Sequence, residues 1–194
     1  MYNHTDEYQI FCDMDGVLVN LIGGVSDAIY NKPPSDSSDR YKKLQQETRK
    51  SLGGKKLTED DVNKYSKHFK KSARDFMYKV MLDDRRFWMN LKWKSGGQKL
   101  WDYIKEYNPI ILSRPVDLQS VIGKKKWVKD NLGLAGDDVQ IRYDKSSYAN
   151  YKGKIGILID DFQSNTSKFE EADGLVVLYQ DSNQAITELK DLGF

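Results

Sequence analysis

Cysteine is almost missing from this sequence: Cys12 is the only one in 194 residues, so no internal disulfide can form and a reducing compartment is expected. Histidine is nearly as scarce. His4 and His68 alone make neither a histidine-rich zinc site nor a serine–histidine–aspartate relay. No apolar run reaches the roughly 20 residues that a membrane helix needs, and Met1-Tyr2-Asn3-His4 has no signal-peptide pattern. An excess of one charge is lacking too. With 31 Lys and Arg against 29 Asp and Glu, the net +2 neither demands nor excludes an anionic partner. Gly-x-Gly-x-x-Gly does not occur; Gly53-Gly54-Lys55-Lys56 has the wrong spacing for a phosphate loop and reads as the end of a helix. These features predict a soluble, cytoplasmic protein with no membrane association. Its 39% hydrophobic and 31% charged residues are those of an ordinary globular chain, long enough for one core with a sizeable insertion.

What is present concentrates at the ends of apolar runs. Tyr8 to Cys12 is mostly apolar, as a strand buried on both faces is, and it stops at Asp13-Met14-Asp15-Gly16. Buried carboxylates must be paired or metal-bound, so two of them at a strand end signal chemistry rather than stability. An Asp-Gly hairpin turn is the alternative, yet Leu21-Ile22-Gly23-Gly24 does not return as an alternating partner strand. Three later strands also deliver polar residues at their ends. Ile110-Ile111-Leu112 runs into Ser113-Arg114-Pro115, Val139 to Arg142 leads to Tyr143-Asp144-Lys145-Ser146, and Ile155 to Ile159 stops at Asp160-Asp161. Parallel α/β sheets bind ligands at that edge. A helix over Leu118 to Leu132, a strand over Leu175 to Leu178 and a closing helix from Ser182 to Leu192 complete a strand–helix alternation, which predicts a parallel sheet flanked by helices. Within the first of these helices Lys124-Lys125-Lys126 reads as a solvated face.

Residues 20–94 read differently. Pro33 to Ser38 forms a loop, and Asp39 to Leu52 a polar helix closed by glycines. Thr58-x-x-Asp61 has the capping-box shape, and Val62, Tyr65, Phe69, Phe76 and Val80 keep a helical period. The expectation is a core domain of residues 1–19 and 95–194 with a small helical cap, 20–94, inserted after the first strand. Phe87, Trp88 and Trp93 stand at the end of that insertion, where it returns to the core domain, and are either core or the wall of a pocket.

The ordered set Asp13-x-Asp15, Ser113, Lys145 and Asp160-Asp161 resembles the four motifs of the haloacid dehalogenase (HAD) superfamily of phosphatases. Arg142-Tyr143-Asp144-Lys145-Ser146 is similar to the Arg-Asp-Lys-Thr motif of its 5'(3')-deoxyribonucleotidases and related small phage-type proteins, which also carry a helical insertion after the first motif. The resemblance implies a HAD-like Rossmannoid sheet and a Mg²⁺-dependent phosphomonoester hydrolase acting through an aspartyl-phosphate, on a small phosphorylated substrate such as a nucleoside monophosphate. Asp13 would be the nucleophile and Asp15 the general acid and base, its backbone carbonyl also reaching the metal beside Asp13, Asp160 and Asp161. Ser113 and Lys145 would clamp the phosphoryl group, and Gly16 would let the backbone approach it. Arg114 departs from the family pattern and is expected to add a phosphate contact or narrow the substrate range; Trp88, placed between the helical insertion and the second strand, is expected to stack on a planar group. Lys154 competes with Lys145, because it lies nearer Asp160 in sequence. A polynucleotide 3'-phosphatase would use the same motifs but should carry a basic groove, which the charge balance argues against. A dehalogenase would dispense with Asp15. From another class, a receiver-like phosphate-binding module would need its phosphorylated aspartate on a later strand.

Overall fold

In a computed structural model, residues 4–33, 35–54 and 85–194 are described, and the predicted capping box and apolar stripe between Thr58 and Val80 lie outside them. The chain divides into two compact units: 1–20 with 93–115 and 128–194, and 21–92 with 116–127.

The first unit is built on a six-stranded sheet. Its strands are β1 (Tyr8–Cys12), β2 (Ile110–Ser113), β3 (Val139–Ile141), β4 (Asn150–Tyr151), β5 (Lys154–Asp160) and β6 (Leu175–Leu178). The order is β3-β2-β1-β5-β4, with β6 pairing the other end of the same β5 edge. All pairs are parallel except β4 with β5, a two-residue antiparallel addition that no apolar run announced. β1 is central, and Ile10, Phe11 and Cys12 are fully buried in it. One face is filled around Phe11, whose ring meets Tyr148, Tyr151 and Phe169 edge-on at 5.4, 5.5 and 6.3 Å. Ile110, Leu112 and Leu158 complete that cluster. By strand alternation Ile10, Cys12, Ile157 and Ile159 point to the opposite face.

Helix α1 (His4–Glu7) precedes β1. Within the first unit α5 (Gly97–Ile104) leads to β2, α7 (Gln163–Glu170) joins β5 to β6, and α8 (Ser182–Asp191) follows β6 and packs on α5. Asp181 caps α8 by accepting from the backbone N–H groups of Asn183 and Gln184 at 2.8 and 3.0 Å.

The second unit holds α2 (Leu21–Tyr30), α3 (Asp39–Ser51), α4 (Arg85–Met89) and the first turns of α6 (Leu118–Leu132). The last carbonyls of a helix have no partner within it. Here α3 supplies them to α2: the Gln45 amide donates to Ala28 and Asn31 carbonyls at 2.7 and 3.0 Å, and Arg49 Nε to the Ile29 carbonyl at 2.5 Å. α3 is itself capped by Ser38 and ends at Gly53 and Gly54, both at positive φ, as a C-cap requires. The lysine run in α6 is not uniformly solvated. Lys125 and Lys126 are exposed, but Lys124 is fully buried with Nζ 4.7 Å from the centre of the Trp88 ring. The run crosses the helix surface, because successive residues are about 100° apart, so one lysine faces inward and places its charge over an aromatic face.

Phe11→Ala should lower unfolding stability by about 3–5 kcal/mol, since it removes a fully enclosed ring and leaves a cavity at the centre of the sheet. Urea unfolding followed by circular dichroism reads this, and a loss under about 1 kcal/mol would contradict the assigned core.

Candidate active site

The site is a consequence of strand register. β1 and β5 run parallel with Cys12 opposite Ile159, so the next residues, Asp13 and Asp160, emerge side by side from the C-terminal edge. Both are buried, at 6% and 0% exposure. Two adjacent buried carboxylates repel strongly unless a cation stands between them. Lys145 does so: its Nζ lies 3.0 Å from Asp13 Oδ1 and 2.5 Å from Asp160 Oδ2. Burial pulls the Lys145 ammonium towards neutrality, but the two carboxylates outweigh it and raise its pKa above the ordinary lysine value. Burial and the neighbouring Asp13 charge push Asp160 upward, against the pull of Lys145.

Lys145 is delivered by the chain after β3. Ser113 pairs with Ile141, and its carbonyl accepts from Arg142 N–H at 2.8 Å. Asp144 then turns the chain by accepting from Ser146 N–H and hydroxyl at 3.0 and 2.7 Å, opening the tight turn Ser146–Tyr148. Lys154 stands at the opposite end of β5 from Asp160, about 20 Å away at 3.3 Å per residue. Only Lys145 of the two rivals meets the acidic pair.

After Asp13 the backbone closes into a compact loop rather than a hairpin. Met14 carbonyl accepts from Leu18 and Val19 N–H at 3.0 and 2.9 Å, and Gly16 N–H donates to Val19 carbonyl at 3.0 Å. Val19 bridges Trp93, and Lys94 N–H donates to Leu18 carbonyl at 2.8 Å. Gly16 is required twice over: its φ is +77°, and a Cβ there would collide with the Asp161 carboxylate. Asp13 Oδ1 also accepts from Met14 N–H at 2.8 Å.

Asp161 brings a third carboxylate to the site. Ligand oxygens of Asp13, Asp160 and Asp161 all lie within 4.8 Å of one another. Asp161 is exposed as a residue, but its carboxylate lies against Gly16; its partial desolvation there, then the charges of Asp13 and Asp160, push it up to about 7, with Lys94 opposing them. An all-oxygen carboxylate set of this span suits a hard divalent cation such as Mg²⁺, so the residues fit the implied metal. The Asp15 side chain is outside that trio, although its charge is felt at Asp161 and its Oδ1 is buried. Ser113 is fully buried at the end of β2, beside the acidic edge, and Arg114 is exposed.

One participant was not anticipated. Asn165, in the first turn of α7, donates its amide to both oxygens of Asp160 at 3.2 and 3.0 Å, while Phe162 N–H donates to Oδ1 at 2.8 Å. The usable signal was an amide one helical turn beyond the acidic pair. Trp88 is the reverse case. Its ring has no exposed surface, lies under Lys124 and meets Phe87 edge-on at 5.3 Å, so it offers no face to a ligand. It belongs to the second unit, not to the sheet unit that carries the acidic residues.

No protein-family model and no curated protein sequence matches the chain. Solved structures do. A hydrolase from Streptococcus pneumoniae is similar over 99% of this chain and 98% of its own, with a TM-score of 0.57 at 15% identity. A HAD family hydrolase from Deinococcus radiodurans, solved with bound phosphate and sodium, is similar over 87% of this chain and 78% of its own, with a TM-score of 0.50 at 14% identity. The chain thus has the α/β, parallel-dominated fold of HAD hydrolases. No helix among the described residues is long and apolar enough to cross a membrane.

If the three carboxylates hold a divalent cation, millimolar MgCl₂ should raise the thermal midpoint of the wild type, and Asp161→Asn should reduce that rise. A shift of equal size in both would remove Asp161 from the ligand set. The pH dependence in EDTA has a definite sign. Asp161 binds its proton more tightly folded than unfolded, so the group costs stability as pH rises from about 4 towards 7. Asp161→Asn should therefore gain on the wild type over that window, measured as a difference in thermal midpoint.

Proposed function

We propose that this chain is a HAD-type phosphatase: a Mg²⁺-dependent phosphomonoester hydrolase working through an aspartyl-phosphate, with nucleoside monophosphates as substrates. The observation that carries the reading is Lys145 bridging Asp13 and Asp160 at the C-terminal edge of adjacent strands, with Asp161 completing an acidic trio. Residues buried at this cost, without hydrophobic benefit, are the mark of a functional site. The likeness in fold to HAD hydrolases and the order of the four motifs support the same conclusion.

The chain's own residues suffice to describe the steps. Asp13 Oδ1 is oriented by Met14 N–H and Lys145, and Oδ2 is the oxygen that attacks phosphorus. An O–P bond forms to Asp13 as the ester O–P bond breaks, and Asp15 gives its proton to the departing alcohol oxygen. Asp15, now a carboxylate, takes a proton from water as that water displaces Asp13, releasing inorganic phosphate and restoring both residues. Lys145 and Ser113 offer a charge and a hydroxyl to the transferring group, and Gly16 lets the backbone approach it. Mg²⁺, held by Asp13, Asp160, Asp161 and the Asp15 carbonyl, would screen the repulsion between anionic nucleophile and anionic ester. Asn165 and Phe162 N–H fix Asp160 from behind. The nucleotide preference rests on the Arg142-to-Ser146 motif; a base-stacking surface has to come from a ring other than Trp88.

Asp13→Asn should abolish Mg²⁺-dependent hydrolysis of p-nitrophenyl phosphate and of nucleoside monophosphates, because the whole covalent route disappears. Lys145→Ala should also be severe, whereas Lys154→Ala should retain most turnover. Activity of Asp13→Asn near that of the wild type would refute the assignment, and equal kcat/KM for nucleotides and simple esters would remove the nucleotide preference.

A further inference from the structure

A cavity of about 220 Å³ opens between the chain that follows β3 and helix α7. It shares Lys145 and Asn165 with the site described above, and Arg114, Tyr143, Asp144 and Lys168 line it further. At this volume it holds part of a ligand, since a whole drug-sized one takes roughly 300–1,000 Å³. Its charges balance: Arg114, Lys145 and Lys168 are matched in number by Asp144 and by the two carboxylates that bind Lys145, Asp13 and Asp160. A balanced lining calls for no further ion, so the part of a substrate that enters here is neutral. What the cavity offers such a group is a ring. Tyr143 is 67% exposed, and among the described residues it meets no other ring and its hydroxyl has no hydrogen-bond partner. The backbone on both sides of it is fixed. Arg142 N–H donates to the Ser113 carbonyl at 2.8 Å, and Asp144 Oδ1 accepts from Ser146 N–H and hydroxyl at 3.0 and 2.7 Å. An aromatic presented from so restrained a segment loses little freedom when a ligand meets it.

We propose that this cavity is a leaving-group subsite with Tyr143 as its specificity-determining residue: while the scissile phosphoryl sits at Asp13, the neutral, planar base of a nucleoside monophosphate lies on the Tyr143 ring. This rests on the phosphatase reading given above, and it supplies the stacking surface that the enclosed Trp88 ring cannot. A ring reads the flat face that every base has, so the subsite favours a base over none and tolerates exchange of one base for another.

Thymidine 5'-monophosphate and 2-deoxyribose 5-phosphate share sugar and phosphate and differ by the base. With Mg²⁺, the nucleotide should have a kcat/KM about tenfold higher, a difference of about 1.4 kcal/mol, which one base stacked on one ring can supply. Tyr143→Ala, whose folding is checked by its thermal midpoint, should bring that ratio close to one through a higher KM for the nucleotide, and Tyr143→Phe should keep it. A ratio that survives Tyr143→Ala would overturn the proposal and leave a nucleotide phosphatase whose base is read elsewhere; loss of the ratio in Tyr143→Phe as well would overturn the stacking. A ratio near one in the wild type would overturn the subsite together with the nucleotide preference, leaving a phosphatase of other esters. If neither ester is hydrolysed, the phosphatase reading fails on its own, and calorimetric titration with thymidine 5'-monophosphate decides the subsite. Tighter binding to wild type than to Tyr143→Ala supports it, and equal or undetectable binding to both refutes it.

Discussion

A single buried ammonium, that of Lys145, reconciles two carboxylates that the sheet forces together. Parallel pairing of β1 and β5 puts Asp13 and Asp160 at the same level, and neither residue can retreat, because each ends a strand buried on both faces. Separated from water without a counter-ion, such a pair would protonate or push the strands apart. The third strand of the constellation, β3, matters chiefly because the chain that leaves it returns a lysine to this gap. The hydrogen bonds of Asp144, Asn165 and Phe162 N–H are all directed at keeping one of the three charges in place. Buried ion triads seldom add stability over apolar packing, which is why this one reads as serving chemistry.

Much of this was legible beforehand, for a definite reason. A buried strand tends to be an apolar run, and β1, β2, β5 and β6 announce themselves so; β3 is shorter and interrupted by Gln140, but the polar residues after these strands still stand out against an apolar background. β4 escaped because two residues, half-exposed and pairing through backbone alone, leave no pattern. The choice between Lys145 and Lys154 could not be made from spacing along the chain. It depends on strand direction: six residues of β5 carry Lys154 to the far edge, whereas four residues of loop bring Lys145 back to the near one. Asn165 was hidden for a similar reason, since its relation to Asp160 exists only once α7 folds back over β5.

The errors in the helical part share a cause. Its position before the second strand leaves Trp88 between core and pocket wall, and the run that contains Lys124 reads as solvated; the two instead pack on each other, which makes Trp88 core and Lys124 buried. Gly123, next to Lys124, allows the approach: a Cβ there would meet Trp88 Cβ and the Arg85 carbonyl. A glycine beside a lysine run in a helix is the only trace of that contact in the sequence, and it is a weak one.

The position of β1 has a bearing on how the molecule is made. The central strand leaves the ribosome well before its two neighbours, Ile110–Ser113 and Lys154–Asp160, which lie about 100 and 145 residues further along the chain. Until then the apolar stretch from Tyr8 to Cys12 has no native partner, and closing the sheet requires distant segments to meet, which is the slow class of folding step. The helices of residues 21–54 can form from local contacts during that interval. Newborn chains of this topology therefore carry an unpaired apolar strand until residues 110–113 and 154–160 have been made, an interval in which it is open to non-native pairing.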